Sequence, residues 1–432
     1  MVKLCDGKKV KRFEYLYLFV MIIYLAQMTP RMSRMTTGLT GDWFVLLLPI
    51  FLTYILCNRN RISFESSELR NILLAITLWS VMVIIKMNLF SFSRLNDYVF
   101  IPYIMIIAYI HNKVYGKNIF TIYEHIMLIF CQISIPLWLI SSLVPGISLF
   151  WNLFPETNIG NNFLMLYNWY DPSRHAEMYV RNSGCSWEPG RFACMILVAV
   201  AINLSRNGVK FRDNKPLLWF IITIITTQST TAYSGLILIM SIFWLKKKMS
   251  HIISFLVLGI PIIVWMFSLD FMGEKIYTNM NFEENMEQTQ TNLAWNESNG
   301  GTGYFVSLGR LEAIYYEATV NIPHDPILGY GRNYNESWFS KSVSDRLVLT
   351  GGLLKVLSEF GVPLGLFFYL ILFRSSKRFA ENTEERKRWA LFAAFIIISI
   401  SYKMWGEPVW TAMWFYSVFK PDADYIPNFI RE

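Results

Sequence analysis

Apolar runs recur along this chain near residues 13–29, 43–57, 69–89, 97–111, 119–143, 187–204, 216–229, 232–245, 251–269, 351–373, 389–404 and 408–419. Runs of this kind leave few folding options. In hydrocarbon each backbone N–H and C=O must find its partner within the chain, so spanning segments become helices, about 20 residues each across about 30 Å. The 54% hydrophobic and 16% charged composition serves that outcome better than a set of soluble domains. The expectation is an all-α polytopic membrane protein, a single integral domain over 1–432 with about twelve transmembrane helices, several of them short for the bilayer.

The formal net charge of +8 excludes little by itself. Its carriers are dispersed between apolar blocks, which favours membrane orientation over nucleic acid. With the N-terminus inside, the segments 58–70, 112–118, 205–215, 246–250, 374–388 and the C-terminal tail also face inside. Together these segments hold most of the Lys and Arg, for example Lys246–Lys248 and Arg386–Arg388. Both termini are therefore expected on the cytoplasmic side. The opening KKVKR, Lys8–Arg12, followed by an apolar run to Met28 without a small-residue cleavage site, reads as an uncleaved first span. Cys5, Cys57, Cys131, Cys185 and Cys194 show no metal-ligand spacing and no disulfide framework. No metal and no cofactor is expected.

Two outside connections stand out by length, 144–186 and 270–350, and long loops are usually functional or disordered. The first is rich in Asn, Trp, Tyr and Pro, as sugar-binding surfaces are and as membrane interfaces are. The second is acidic and Asn/Gln-rich from Glu274 to Gly303. From Ser307 it carries Leu311, Ile314, Tyr315 and Ala318 at helical spacing. A helix over 307–322 is expected, with Ser307 as N-cap, Pro323 as stop and Arg310, Ala313 and Glu317 on a separate face.

Four motifs carry candidate chemistry. RNSGCSWEPGR, Arg181–Arg191, places two guanidiniums and the Glu188 carboxylate where a polar loop enters an apolar segment. Charge at that depth is costly unless paired or facing water. Arg181 and Arg191 suit bidentate capture of pyrophosphate, and Glu188 suits proton acceptance from an attacking hydroxyl. The plainer alternative is an interfacial salt bridge at a helix start. Gly309–Asn335 brackets Gly329 and Gly331 with Arg310 and Arg332, a possible anion nest or an ordinary helix–turn. His324 in that segment is a candidate base or a solvated histidine. TTQSTTAYSG, Thr226–Gly235, either lines a cavity, with Tyr233 a candidate contact, or satisfies backbone at a broken helix. In GGLLKVLSEFGVPLG, Gly351–Gly365, Glu359 is a further candidate or the i, i+4 partner of Lys355. Asp422-Ala-Asp424 mimics a metal-binding DxD, yet it sits in the inside tail and reads as incidental.

In order and placement, RNSGCSWEPGRFA, TTQSTTAYSG, GR…HDPILGYG and GGLLKVLSEFGVPLG resemble the motifs of the O-antigen polymerase (Wzy-type) and O-antigen ligase superfamily. The resemblance covers roughly residues 181–365. It implies a metal-independent GT-C-type glycosyltransferase of the bacterial inner membrane with two long periplasmic loops. Its donor would be a polyprenyl-pyrophosphate-linked glycan. The family's arginines fall on Arg181 and Arg310. Ligases carry Ser-Arg where this chain has Ser229-Thr230, and His-Asn where it has Gly351-Gly352, so the resemblance favours the polymerase and leaves Glu188 as the best base.

The expected mechanism is chiefly electrostatic. Arg181, Arg191, Arg310 and Arg332 hold the diphosphate of a growing glycan while a sugar hydroxyl of a second lipid-linked repeat unit attacks. The partners are those lipid-linked glycans, membrane lipid and a chain-length regulator protein, with no nucleic acid. The rivals are a ligase transferring glycan to lipid A core or protein, and a polysaccharide flippase. A flippase would keep external loops short and place ionisable groups at mid-membrane, whereas Lys86 and Lys403 lie near span ends and can snorkel.

Overall fold

The structure is a computed structural model that describes residues 12–27, 40–60, 62, 64, 66–86, 95–155, 160–172, 180–209, 212–244, 306–331, 337–343, 347–349, 351–402 and 407–419. The expected span at 251–269, the acidic stretch from Glu274 to Gly303, Arg332, Lys403 and the Asp422–Asp424 pair lie outside the described residues.

The chain is mostly helical. The N-terminal helices are α1 (Arg12–Gln27), α2 (Thr40–Asn60), α3 (Ser66–Lys86), α4 (Leu95–Tyr115) and α5 (Asn118–Leu143). After the first long loop come α7 (Pro189–Asn207), α8 (Lys215–Thr227) and α9 (Thr230–Trp244). Two of the described helices, α5 and α7, are long and apolar enough to cross a bilayer. The other strongly apolar ones, including α8, α9 and a later helix over Ala390–Ser401, are shorter. The described residues thus provide two full-length candidates where the sequence predicts about twelve spans. Turns and capping residues cut several apolar runs short: Gln228, left-handed at φ 50°, separates α8 from α9.

Helix α7 is the centre of the fold. Pro189 sits in its first turn, where a missing N–H costs nothing, and Glu188 precedes it in extended conformation. From Phe192 to Leu204 every apolar side chain of α7 is buried. Its neighbours are α5, α8, α9 and the Ala390–Ser401 helix. Helix α5 buries one face and leaves the rest, including Leu139, Ile140 and Leu143, exposed.

Not everything is helical. The first long loop contains α6 (Ser148–Trp151) and an antiparallel hairpin, β1 (Gly160–Phe163) with β2 (Tyr167–Tyr170). Its aromatics turn inward, Trp151, Tyr167 and Trp169 packing with Trp138 and Phe163. Its asparagines are scaffold: Asn168 donates to the Ser186 carbonyl at 2.7 Å, and Asn182 donates to Thr226 Oγ1 at 2.9 Å. These buried aromatics and asparagines serve the loop's own packing.

Within the second long loop β3 (Val306–Ser307) pairs in parallel with β4 (Leu347–Val348), which ties the middle of the loop to its C-terminal end. Ser307 therefore lies in a strand and is not the helix cap. Helix α10 runs Arg310–Tyr316, with Gly309 as N-cap and the Glu312 carboxylate accepting from the Gly309 N–H at 2.6 Å. A π-helical turn, Glu317–Asn321, and the short α11 (Ile322–His324) continue it. The apolar stripe faces outward: Leu311 and Tyr315 are exposed, while Glu312, Ala313, Glu317 and Asn321 are buried. The helix exists where expected, but its inner face is the polar one.

Helix α12 (Trp338–Ser342) follows, then α13 (Lys355–Phe360) and α14 (Val362–Glu381), which split the apolar run 351–373 at Gly361, φ 81°. Helices α15 (Ala390–Ser401) and α16 (Pro408–Trp414) are the last of the described helices, with α16 packed on α4 and α1.

Candidate functional site

The first turn of α7 and the first turn of α10 come from opposite ends of the motif region, and they meet. Glu188 makes no side-chain cap bond to its own helix. Its carboxylate instead faces Arg310, Oε1 lying 3.6 Å from Nη2. Charge-assisted hydrogen bonds close at about 2.7–2.9 Å, so the pair is near but not locked. Both side chains keep access to solvent, 33% for Arg310 and 29% for Glu188.

Arg310 is rooted by the cap of α10 and steered by two further elements. Its Nη1 donates to Thr231 Oγ1 at 2.9 Å, and Thr231 is bonded in turn to Ser401 at 2.7 Å. Its Nη2 reaches the Tyr402 hydroxyl at 3.5 Å, and the guanidinium carbon lies 5.4 Å from the Tyr402 ring centroid. Gly190 forms the floor. A Cβ there would lie 2.7 Å from the Tyr402 hydroxyl, 3.4 Å from Glu188 Oε1 and 3.7 Å from Arg310 Nη2.

Behind this outer group lies a buried one. Arg191 pairs with Glu407, both side chains less than a tenth exposed. Its guanidinium carbon is 5.8 Å from the Tyr402 ring and 5.8 Å from the Trp410 ring. Burial pushes the Glu407 carboxyl above the ordinary carboxylate range, opposed by the adjacent Arg191 charge. Tyr402 thus stands near two guanidiniums, one partly open to solvent and one engaged by Glu407.

The remaining sequence candidates take other positions. Arg181 donates to the Thr227 and Gln228 carbonyls at 3.2 and 3.1 Å and lies over the Tyr170 ring, so it secures the α8–α9 turn against the first loop. Tyr233 is buried and donates to the Ile225 carbonyl at 2.6 Å. His324 is exposed and stacked on Trp338, ring centroids 3.8 Å apart. Glu359 is buried on α13 beside Glu317, away from the arginine-bearing turns. Lys355 directs its ammonium to the Leu349 carbonyl at 3.0 Å.

Two motif readings change. The amides at Gly329, Tyr330 and Gly331 donate to the carbonyls of Asp325, Ser358 and Glu359, so this turn docks on the end of α13 and offers no anion nest. Among the hydroxyls of Thr226–Gly235, Thr226 and Thr227 return to backbone carbonyls within α8, which closes the helix end. The hydroxyl of that run that reaches the arginine is Thr231. At Gly352, where the ligases' asparagine would stand, a Cβ would lie 2.4 Å from the Tyr402 carbonyl, so no asparagine fits there without moving the end of α15.

Sequence reasoning missed Tyr402, Ser401 and Glu407, and flagged Thr231 only as one hydroxyl of the Thr226–Gly235 run. Glu407 alone carried a usable signal, a carboxylate just ahead of Pro408 at an apolar run, the same pattern as Glu188-Pro189. Two apolar crevices between α2, α3, α4 and α14, lined by Pro102 and Ile106 among others, share no residue with the charged group.

No protein-family model matches the chain, and no curated protein matches it.

Proposed function

We propose that the protein is a polytopic, metal-independent glycosyltransferase of the bacterial inner membrane. It polymerises polyprenyl-pyrophosphate-linked repeat units at the periplasmic face. One observation carries the reading: Glu188, just after the first long loop, and Arg310, within the second, converge as a solvent-reachable acid–base pair at the start of a central apolar helix. The full set of about twelve spans, with both termini inside, belongs to this proposal.

In the reaction, Arg310 binds oxygens of the donor diphosphate and neutralises the charge that grows on them as the anomeric C1–O bond breaks. Preorganised charge of this kind is usually the largest catalytic contribution. The acceptor sugar hydroxyl forms the new bond to C1, its proton passes to Glu188, and polyprenyl pyrophosphate departs with the electron pair. A 3.6 Å gap between the partners lets a phosphate oxygen replace Glu188 at the guanidinium. Thr231 and Tyr402 keep Arg310 oriented when that exchange occurs. Arg191, held by Glu407 and close to the same tyrosine, supports the positive field from behind.

The test is the glycan profile of cells carrying Arg310→Ala. The variant should reach the membrane at normal levels and yield only single repeat units on the acceptor. A normal ladder of chain lengths would defeat the proposal. Arg310→Lys retains charge without the planar fork and should give short, sparse ladders. Accumulation of full-length polymer on the polyprenyl carrier would assign the chain to the ligase reaction, and trapping of undecorated units inside would assign it to a flippase.

A further inference from the structure

The outer end of α5 runs directly into an apolar rim. Leu143, Leu149, Leu153 and Leu164 are 73%, 76%, 78% and 68% exposed, and Phe150 and Met165 beside them are exposed as well. These residues belong to one unit. Helix α6 packs on β1, β2 packs on α5, and Trp151 seals the interior against Tyr167 and Trp169. The exposed leucines are therefore the outer skin of a body whose aromatic core is already filled.

Three features select the occupant of that skin. The rim continues the exposed apolar face of α5, which already carries Leu139 and Ile140. From Val144, where α5 has ended, to Tyr170 the sequence holds one charged residue, Glu156. A loop facing water over that length would carry more. The turn at Phe163–Leu166 also places two large apolar residues, Leu164 at φ 51° and Met165 at φ 61°, in the left-handed region. Such turns ordinarily use Asn or Gly. Keeping Leu and Met there favours large apolar side chains at the tip over relaxed backbone.

We propose that this rim, α6 together with the β1–β2 turn, dips into the outer leaflet of the bilayer and anchors the first long loop at the acyl–headgroup boundary. The partner is lipid. The inference rests on reading α5 as a membrane span. Its consequence is positional. The Asn168 amide donates to the Gly184 carbonyl at 2.6 Å, and Tyr170 lies under Arg181 at 5.6 Å, so the anchored hairpin fixes the height of the segment leading to Glu188. A lipid-linked diphosphate lies at that height.

The experiment uses the full chain in nanodiscs of phosphatidylethanolamine and phosphatidylglycerol. An environment-sensitive fluorescent amino acid replaces Met165, Leu139 or Glu384, one at a time. Glu384 is exposed in the connection after α14 and serves as the aqueous control. The probe at 165 should be quenched by lipids with a nitroxide near the glycerol backbone and spared by aqueous iodide. At 139 a nitroxide deeper on the acyl chain should quench, and at 384 only iodide. If the probe at 139 ignores every nitroxide lipid, α5 is not a span and the reading beneath the anchor falls. If 139 responds to lipid while 165 responds to iodide, the anchor alone is overturned. Protection of 165 from both quenchers means protein covers the rim, a second copy included, and equally overturns it.

Discussion

At the scale of single residues, the arrangement turns on Tyr402, whose ring lies near both Arg310 and Arg191. Removing only the hydroxyl deletes the long hydrogen bond from Arg310 and the hydrogen bond with Glu188, and leaves the aromatic face in place. Tyr402→Phe should therefore cost no more than about tenfold in polymerisation rate. Tyr402→Ala also strips the cation–π contacts from two guanidiniums, each worth roughly 0.5–2 kcal/mol, and should cost about 100-fold. Rates measured with purified lipid-linked repeat unit check both values, and equal losses would show that the ring contributes nothing. Gly190→Ala is the companion variant, because its methyl group must displace the Tyr402 hydroxyl or close the Glu188–Arg310 gap. It should keep the fold and lose activity. Glu188 was legible in the sequence since charge beside an apolar run needs a reason, and Arg310 through its place in the GR motif and on its helix face. Tyr402 was not. A tyrosine inside an apolar block is ordinary, and its meaning depends on two residues more than 90 positions away.

At the scale of elements, helix periodicity located α10, and the face of Ala313 and Glu317 that the spacing sets apart is the one that turns inward. Leu311 and Tyr315 stay exposed, while the buried face also carries Asn321 beside Glu317. That buried carboxyl has a measurable signature. Burial raises the Glu317 carboxyl, with neighbouring Glu359 adding to the shift and Asn321, Ser358 and Lys355 opposing it. A carboxyl raised in the folded state binds its proton more tightly there than in the unfolded chain. Stability is thus greatest below the ordinary carboxylate range and falls as pH rises through it toward the raised value, by at most about 1.4 kcal/mol per pH unit. Glu317→Gln should flatten that slope in thermal unfolding of the detergent-solubilised protein. An unchanged slope would place the titration elsewhere. Gly361 sets the corner between α13 and α14 at φ 81°, where a Cβ would meet the Ile327 carbonyl at 1.8 Å. Gly361→Ala should destabilise by roughly 1–3 kcal/mol from backbone strain alone, and by more if the docked turn detaches. The break at this corner was hidden in the sequence because an apolar run with two internal glycines and a proline also fits a single kinked helix.

At the scale of the whole molecule, the Arg191–Glu407 pair joins two regions that the sequence left unrelated. Helix α16 packs on α4 and α1, so Glu407 at its head carries the N-terminal helices to the first turn of α7. Removing one member of a buried pair strands the other charge. Glu407→Ala should cost about 3–5 kcal/mol. Replacing both members by apolar side chains of similar size, Arg191→Met with Glu407→Leu, removes the stranded charge and should restore most of that loss. The double variant separates architecture from chemistry. If Arg191 acts only by joining α7 to α16, polymerisation returns along with stability. If its charge supports the diphosphate through Tyr402, the double variant melts near the wild-type temperature yet still yields mainly single repeat units. The proposed mechanism requires the second result, since two guanidiniums near one tyrosine form the positive end of the site, and packing alone cannot replace half of that field.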